Sequence, residues 1–286
     1  MILITGANGN LGSAVVSTLE KLMPKNQFLV SSSSDDGVSN LKSKGFNARK
    51  ADFSDPSTLE NAFLGVTKLL LISTMDPNRL EQHKNVIKAA KKVGVKHLVY
   101  TSLAIHDIKS SAVRDLMISH FETEAYLKES GLDYTILRNT MYAEALIQIL
   151  GQNALHQAIK LPGGTGKVPF VLRREMREAT ANLLLQSGHE GKTYNITAAS
   201  SYSFAEVAEV LSELTNSEIK YINEDEDRYM TYLQQLDFPE FLIYLHVGTL
   251  KDVAMKQYEI QDDSLELLLG RPSAPLNVIL KEIFQI

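Results

Sequence analysis

The 286-residue chain contains no cysteine. This absence excludes disulfide bonds, thiolate catalysis and cysteine-ligated zinc, and it fits a reducing compartment. Any redox chemistry must therefore be supplied by a cofactor. Apolar runs of about 18 residues, which a membrane-spanning helix needs, are absent too, and the chain opens on an apolar strand instead of a basic leader. The sequence therefore predicts a cytoplasmic protein with no membrane partner.

Blocks of like charge are scarce as well. The formal net charge is −5, and acidic and basic residues are interspersed. No basic field indicates nucleic acid as a partner, and no acidic block indicates a disordered tail. The seven histidines lack the spacing of metal ligands, so we expect no metal site. A hydrophobic content of 44% is sufficient for a packed core.

The opening segment, MILITGANGNLG, places three glycines between a short apolar strand and an amphipathic helix. In such a turn Gly6 allows a sharp change of direction, Gly9 allows close approach of a pyrophosphate, and Gly12 allows the helix to pack closely on the sheet. The phosphates then lie at the start of the helix, where the peptide dipoles favour negative charge. The context predicts a dinucleotide-binding turn, with an ordinary strand-to-helix turn as the alternative.

Strand-like and helix-like segments alternate through the first half of the chain. The strand-like segments are ILIT, QFLVSS, FNARKAD, KLLLIS, HLVYTS and DYTILR, separated by amphipathic stretches. This order is typical of a parallel sheet covered by helices on both faces. We predict an α/β fold, a Rossmann-type doubly wound parallel sheet with a smaller C-terminal α/β lobe. Residues 1–140 are assigned to an NAD(P)-binding Rossmann domain and 141–286 to a smaller substrate lobe, with segments returning to the main sheet.

The second half of the chain has a looser pattern. It contains LPGGTGK, which we interpret as a hairpin turn, a helix near MREATANLLLQ, and strands near KTYNIT and EIKYI. In SFAEVAEVLSEL, Ser203 followed by Glu206 three residues later predicts a capping box. The acidic run at 224–227 is interpreted as a solvated loop or a helix start.

Ligands of doubly wound sheets bind at the carboxyl ends of the strands, near the point where the strand order reverses. The positions that follow strands are therefore the candidate contacts. They are Gly6, Asn8, Gly9, Asn10, Leu11 and Gly12 after the first strand, Ser32 and Ser33 after the second, Asp52 and Phe53 after the third, Ser73, Thr74 and Met75 after the fourth, Thr101, Ser102 and Leu103 after the fifth, and Asn139, Met141 and Tyr142 after the sixth.

Several motifs follow one another in a recognisable order over nearly the whole chain. They are GANGNLG, ADFSD, YTSL, the spacing from His120 to Glu124, SGLDYTILRN, GGTGKVPFV, HEGKTYNIT and SFAEVAEVLSEL. Together they resemble the NmrA-like branch of the atypical short-chain dehydrogenase/reductases, and within it the bacterial type 2 NAD(P)H:quinone oxidoreductases and the triphenylmethane reductases. The resemblance implies a nicotinamide cofactor lying across the strand ends. Members of this branch include hydride-transferring reductases, nucleotide-sugar enzymes and redox sensors without turnover.

The tyrosine and lysine pair with which most short-chain dehydrogenases protonate their substrate is missing. None of the eleven tyrosines is followed by lysine four residues later, and the resemblance places Leu116 and His120 at the two positions. Hydride delivery to a carbonyl makes an alkoxide, which needs a proton donor. A quinone instead gives a phenolate, whose conjugate acid has a pKa near about 10, so water or a neutral histidine can protonate it. The absence favours direct hydride transfer to a quinone, or a sensor.

The resemblance also implies roles for individual residues. His120 would contact the cofactor or substrate, or donate a proton, with a helix histidine that merely packs as the alternative. Thr101 and Ser102 would meet the nicotinamide or a substrate oxygen, unless they only cap the strand. Asn139 would contact the cofactor. Met141, Tyr142 and Leu103 would line the acceptor site.

The cofactor is predicted to be NADP or NAD. NADP binding usually requires a basic residue near the end of the second strand, whereas NAD binding uses a carboxylate there. Ser33 stands where the quinone-reductase relatives carry arginine, and Asp35 would repel a phosphate if it lay close. The habit of the family slightly favours NADPH.

The sequence therefore predicts an NAD(P)H-dependent oxidoreductase that transfers hydride directly to a quinone-like or other planar electrophilic acceptor. A non-catalytic NAD(P)-binding redox sensor is the alternative, and a nucleoside-diphosphate-sugar epimerase is disfavoured by the missing tyrosine. The expected partner is a small-molecule electron acceptor. A homodimer or a regulatory protein partner stays open.

Overall fold

The computed structural model describes residues 1–151 and 153–286. Within those ranges strands β1 to β11 are, in order, Ile2–Ile4, Phe28–Ser32, Ala48–Lys50, Lys68–Leu71, His97–Leu103, Asp133–Asn139, Ile159–Leu161, Lys167–Val168, Lys192–Ile196, Tyr202–Ser203 and Tyr221–Asn223. Helices α1 to α12 are Asn10–Leu22, Asp35–Ser43, Pro56–Phe63, Arg79–Lys92, Arg114–Glu129, Ala145–Leu150, Arg173–Leu185, Phe204–Thr215, Glu226–Gln235, Glu240–Ala254, Ser264–Leu269 and Leu276–Phe284. Across the described residues, every helix is too short or too polar to span a bilayer.

Seven strands form the main sheet, in the order β3-β2-β1-β4-β5-β6-β9. The pairings from β3 through β6 are parallel. Strand β1 pairs with β2 on one side and with β4 on the other, so the strand order reverses there. The carboxyl end of β1 is therefore the place where such sheets bind ligands. The predicted Rossmann-type doubly wound sheet is confirmed.

Local sequence explains why these elements form where they do. Strand β4 is apolar without alternation, and Leu69, Leu70 and Leu71 are fully buried, as expected for a strand covered on both faces. Helix α3 begins at Pro56, whose missing N–H costs nothing at the first helical position, and the Asp55 carboxylate accepts a hydrogen bond from the Ser57 N–H.

The chain divides into two compact units that are discontinuous in sequence. Unit one consists of Met1–Leu103, Ile118–Asn139 and Arg174–Tyr194. It contains β1 to β6, the beginning of β9, and the helices that pack on these strands. Its core includes Phe63 and Tyr100, both fully buried. The predicted domain boundary near residue 140 stays a prediction, because unit one also contains residues 174–194 and unit two also contains residues 104–117.

Unit two consists of Ala104–Met117, Thr140–Arg173 and Asn195–Ile286. Strand β10 pairs antiparallel with β8, and β11 pairs parallel with β7. Helix α8 begins with the predicted capping box, in which Ser203 and Glu206 bond to each other's backbone N–H groups. The predicted helix start in the acidic run is also confirmed, because Asp225 caps α9.

The hairpin predicted at LPGGTGK is wrong. Strands β7 and β8 flank this segment but pair with β11 and β10, not with each other. The segment does turn at Gly164, but Gly163 and Gly166 serve close packing. A Cβ on Gly166 would lie 1.7 Å from the Val253 carbonyl oxygen, and a Cβ on Gly163 would lie 2.4 Å from the Phe204 ring.

Candidate active site

The glycine turn after β1 closes tightly on itself. Gly6 has a φ of +59°, in the left-handed region that favours glycine. Its carbonyl oxygen accepts a hydrogen bond from the Gly9 N–H at 2.9 Å. A Cβ on Gly12 would lie 2.1 Å from the same oxygen, and one on Gly9 would lie 3.3 Å from it. A side chain at Gly12 would therefore force the turn and α1 apart.

The amino terminus of α1 is open to a ligand. Gly9 is the residue that precedes the helix, and no side chain of the described residues caps the first turn, which also lacks acidic residues. Asn8, Gly9 and Asn10 are exposed, while Leu11 is buried. The first N–H groups of a helix have no partner within it, and together with the helix dipole they favour an anion. The turn therefore offers the donors that a diphosphate requires.

The end of β2 gathers small polar groups beside this turn. The Asn8 side-chain amide donates to the Gly37 carbonyl oxygen at 3.2 Å. A Cβ on Gly37 would lie 2.1 Å from the Ser32 hydroxyl oxygen, so helix α2 packs directly on Ser32. The Ser34 hydroxyl accepts from the Gly37 N–H and caps α2. Ser33 is exposed and contributes no charge.

The end of β3 carries a cation paired with the acidic start of α2. The Lys50 Nζ lies 2.8 Å from Asp35 Oδ2, and this hydrogen bond and the attraction of the carboxylate raise the pKa of Lys50. Lys50 lies opposite Ser32 in the register of the parallel strands. The carboxylate that was expected to repel a phosphate is therefore balanced by a lysine.

Asp52 and Phe53 both have structural contacts. The Asp52 carboxylate accepts from the Ser54 N–H at 2.9 Å in the turn that follows β3. The Phe53 ring is buried and packs edge-on against the His83 ring, with centroids 6.3 Å apart. Their contact with a cofactor stays a prediction.

The loop after β4 is fixed from two sides. The Ser73 N–H donates to Thr101 Oγ1 at 2.9 Å, which ties the loop to β5. The Thr74 hydroxyl donates to the Gln82 side chain at 3.0 Å. Met75 is 56% exposed, so this loop presents an apolar side chain to solvent. Strand β5 and helix α4 thus both hold this loop.

Arg79, at the start of α4, also holds the loop after β4 through its side chain. Sequence reasoning missed this residue. Its side chain is fully buried. The guanidinium donates from Nε to the Thr74 carbonyl oxygen and from Nη1 to the Ser119 hydroxyl at 3.0 Å, and Nη2 lies 3.5 Å from Met75 Sδ. An arginine near a helix start normally faces water, so nothing in the local sequence indicates this burial.

The two hydroxyls at the end of β5 point to opposite faces, as successive strand residues do. Thr101 faces Ser73, with 3.3 Å between their hydroxyl oxygens. Ser102 donates to Glu124 Oε1 at 2.6 Å. Leu103 is half-buried. Thr101 therefore braces the loop after β4, whereas the Ser102 hydroxyl serves a buried carboxylate.

That carboxylate belongs to an ion pair in which the glutamate is buried and the arginine is half-buried. Glu124 is 2% exposed, and Arg138 donates to it from Nε at 2.9 Å and from Nη2 at 2.6 Å. Glu124 in turn raises the pKa of Arg138. Sequence reasoning did not assign the pair, although the four-residue spacing of His120 and Glu124 places both on one face of α5.

His120 lies in a buried polar cluster with Tyr100, His83 and Arg79. Its Nδ1 lies 3.0 Å from the Tyr100 hydroxyl. Burial, then the positive charge of Arg79, hold the pKa of His120 well below its ordinary value. The same two causes, in the same order, lower the pKa of His83 to about 3. Both rings are therefore neutral near pH 7, and His120 carries no dissociable imidazolium proton there.

The candidate residues at the end of β6 and directly after it fall in both units. Asn139 belongs to unit one and is buried, and its Oδ1 has no hydrogen-bond partner among the described residues. Met141 and Tyr142 belong to unit two. Met141 packs on the core of that unit, and the Arg173 guanidinium lies 5.1 Å from the Tyr142 ring centroid.

The polar contacts in unit one contain no arrangement typical of a metal centre. Within residues 1–151 and 153–286, no three histidine, aspartate or glutamate side chains lie close enough together to hold a metal ion. The chemistry that this site offers is therefore that of backbone N–H groups, hydroxyls, neutral imidazoles and buried arginines.

Comparison with known proteins agrees with this geometry. The sequence model described as the NmrA-like family matches residues 1–267. Quinone oxidoreductase 2 of Escherichia coli (strain K12) is 33% identical over 289 residues, covering 100% of this chain and 99% of that protein. The crystal structure of Citrobacter sp. triphenylmethane reductase complexed with NADP(H) has a TM-score of 0.90 and 30% identity, covering 99% of both chains.

An Escherichia coli NADPH-dependent quinone oxidoreductase, solved with NADPH, has a TM-score of 0.91 and 32% identity, covering 99% of this chain and 100% of that one. The predicted resemblance to the quinone and triphenylmethane reductases is thereby confirmed. Since the family match spans most of the sequence and the relatives are matched over their whole length, the chain belongs to the NmrA-like family.

Proposed function

We propose that this chain is an NAD(P)H-dependent oxidoreductase that transfers hydride directly to a quinone-like or other planar electrophilic acceptor. The observation that carries the proposal is the tight glycine turn at the strand-order reversal, followed by a helix whose amino terminus no described side chain caps. Similarity to quinone and triphenylmethane reductases over the whole chain supports it.

The residues around the turn fit a dinucleotide. The N–H groups of Asn10 and Leu11 would hold the diphosphate, because they lie in the first helical turn, whereas the Gly9 N–H is bonded to the Gly6 carbonyl oxygen. The adenosine ribose would lie against Ser32 and Ser33, at the end of β2. When bound, the reduced nicotinamide supplies the hydride.

At the other end, the loop of Ser73, Thr74 and Met75 would support the nicotinamide riboside together with Thr101. Arg79 fixes the loop through the Thr74 carbonyl oxygen, and Thr101 fixes it through the Ser73 N–H. These residues act by positioning, which contributes to rate by holding the reacting atoms in line. His120 would orient the nicotinamide end as a neutral ring bonded to Tyr100.

No built-in acid is required for a quinone. Because the pKa of His120 is lowered, its ring is neutral near pH 7 and has no imidazolium proton to donate. Hydride addition to a quinone gives a phenolate, which water can protonate because its conjugate acid has a pKa near about 10. A carbonyl acceptor would need a donor that these residues do not supply. The depressed pKa of His120 thus favours the quinone class.

In unit two, Met141 and Tyr142 would contact the acceptor; in unit one, Leu103 stays a predicted contact of it. Tyr142 offers a flat ring for stacking, and the apolar side chains suit a planar molecule. A homodimer or a regulatory protein partner stays a proposal without a structural argument.

The test is NADPH oxidation with a panel of quinones, followed through the absorbance of the reduced nicotinamide. We expect oxidation well above the protein-free rate, and its loss in Gly9→Val, whose side chain blocks backbone approach to the diphosphate. Ser13→Ala, a change at an exposed position of the same helix, is the matched control. Tight NADPH binding without turnover on any quinone would contradict the reductase and leave the redox sensor.

A further inference from the structure

The ends of β2 and β3 hold a charge arrangement that the hydride transfer does not use. Lys50 ends β3 directly opposite Ser32, the last residue of β2. Its ammonium group is bonded to Asp35, the first residue of α2. Asp52 and Asp55 also raise the pKa of Lys50, so the lysine lies within an acidic neighbourhood.

NADPH differs from NADH by a phosphate on the adenosine ribose. In dinucleotide-binding folds this ribose lies beside the end of the second strand, where a basic side chain accommodates the phosphate and a carboxylate selects against it. Ser33 and Ser34 provide hydroxyls there but no positive charge. A preference for NADPH therefore needs a cation from a neighbouring element.

We infer that Lys50, on the third strand, recognises the 2′-phosphate of NADPH in this chain, and that Asp35 holds the ammonium group in place until the phosphate replaces it. The inference rests on the proposed function, because it concerns the same nucleotide site. The basic residue that discriminates NADPH from NADH would therefore lie at the end of β3, whereas in dinucleotide-binding folds it usually lies near the end of the second strand.

The exposure of the pair makes this exchange feasible. The side chains of Lys50 and Asp35 are 41% and 81% exposed. Exposed ion pairs contribute little to the free energy of folding, because water screens the charges and two side chains lose conformational entropy. Lysine is a mobile point charge on a flexible stem. A phosphate with nearly two negative charges is a stronger acceptor than one carboxylate, so the ammonium group can move to it at low cost.

The acidic neighbours set the size of the effect. Asp35 stays beside the phosphate after the exchange and repels it, which offsets part of the attraction of Lys50. We therefore expect Lys50→Gln to weaken NADPH binding by about fivefold and leave NADH binding unchanged, a factor typical of a solvent-accessible charge contact. Asp35→Asn removes the competing carboxylate and is expected to strengthen NADPH binding by about threefold.

Direct binding is the test, independent of turnover. Calorimetric titrations compare NADPH with NADH, and adenosine 2′,5′-bisphosphate with adenosine 5′-monophosphate, which lack the nicotinamide. The proteins are the unaltered chain, Lys50→Gln, and Lys42→Gln as the control at an exposed lysine in the last turn of α2. We expect only Lys50→Gln to lose affinity, and only for the two ligands with the 2′-phosphate. Ser33→Arg added to Lys50→Gln should restore that affinity.

Equal affinities of Lys50→Gln and the unaltered chain for NADPH would overturn the assignment. So would an equal loss for NADPH and NADH, which would indicate a general disturbance of β3. Failure of the unaltered chain to bind either cofactor would instead overturn the proposed function itself. Weaker binding of Lys50→Gln that is restricted to NADPH and adenosine 2′,5′-bisphosphate, the two ligands with a 2′-phosphate, supports the role of Lys50 whatever the electron acceptor proves to be.

Discussion

Two ion pairs of unit one each include a residue at the carboxyl end of a strand, Arg138 on β6 and Lys50 on β3, but they differ in burial. Glu124 and Arg138 are joined by two short hydrogen bonds, and the carboxylate is 2% exposed. Asp35 and Lys50 are joined by one bond at the surface. A buried pair cannot exchange partners without leaving a charge uncompensated, whereas an exposed pair can. The proposed nicotinamide end is therefore fixed, and the proposed adenosine end is adjustable.

The largest expected effect comes from breaking the buried pair. Glu124→Gln removes the charge that Arg138 and Ser102 surround, and removal of one partner of a buried pair costs about 3 kcal/mol. Urea denaturation of the variant and of Glu122→Gln, an exposed neighbour on α5, measures this difference. Equal stabilities of the two variants would mean that the buried pair is not what fixes this end.

The buried imidazoles next to the pair should make stability depend on pH. The pKa of His83 is about 3 in the folded chain and about 6.5 unfolded, so the unfolded state binds more protons between these values. The stability contribution is complete above pH 6.5 and falls on acidification, by about 1.4 kcal/mol per pH unit near pH 5. His83→Gln should lack this slope in denaturation curves. Identical slopes in the two proteins would show that His83 titrates normally in the fold.

Ser102→Ala should have a smaller effect. The hydroxyl donates to the buried Glu124 carboxylate, and loss of one such donor costs about 1 kcal/mol of unfolding free energy. The variant is compared with Ser187→Ala, a change at an exposed serine of unit one outside the polar cluster. Unchanged stability would indicate that Ser102 does not serve Glu124 and is free to contact a nicotinamide.

The smallest effect is expected at the exposed pair. Asp35→Asn should leave the free energy of unfolding unchanged within measurement error, because the pair is screened by water. The same denaturation assay checks it, with Asp36→Asn as the control at the next exposed residue. A clear loss of stability in Asp35→Asn alone would remove the contrast between the fixed and adjustable ends.

Backbone features near the turn were predictable from sequence. The spacing of Gly6, Gly9 and Gly12 between an apolar run and an amphipathic stretch indicates one local geometry, and local sequence determines it. The alternation of strands and helices predicts the parallel sheet, because a helix between two strands crosses over the sheet and brings the strands into parallel pairing. The positions at the strand ends then follow from topology alone, although the cofactor contacts assigned to them stay predictions.

The contacts that fix the site could not be predicted in this way. Arg79 and Arg138 look like surface residues in their own helix and strand. The full burial of Arg79 and the half-burial of Arg138 depend on contacts with the loop after β4 and with Glu124 on α5. The LPGGTGK segment was misread because glycine indicates a close approach or a turn equally well. Here both apply, because the chain turns at Gly164 and Thr165, and Gly166 packs against Val253, almost ninety residues later.

The central claim is that the glycine turn holds the dinucleotide with its diphosphate at the start of α1. The most direct measurement is a calorimetric titration of the unaltered chain and Gly12→Ala with NADPH, with Ser13→Ala as the control and circular dichroism to verify folding. The added methyl group would lie 2.1 Å from the Gly6 carbonyl oxygen. We expect binding by the unaltered chain and by Ser13→Ala, and affinity at least about tenfold weaker in a folded Gly12→Ala. Equal affinity in all three proteins would contradict the account.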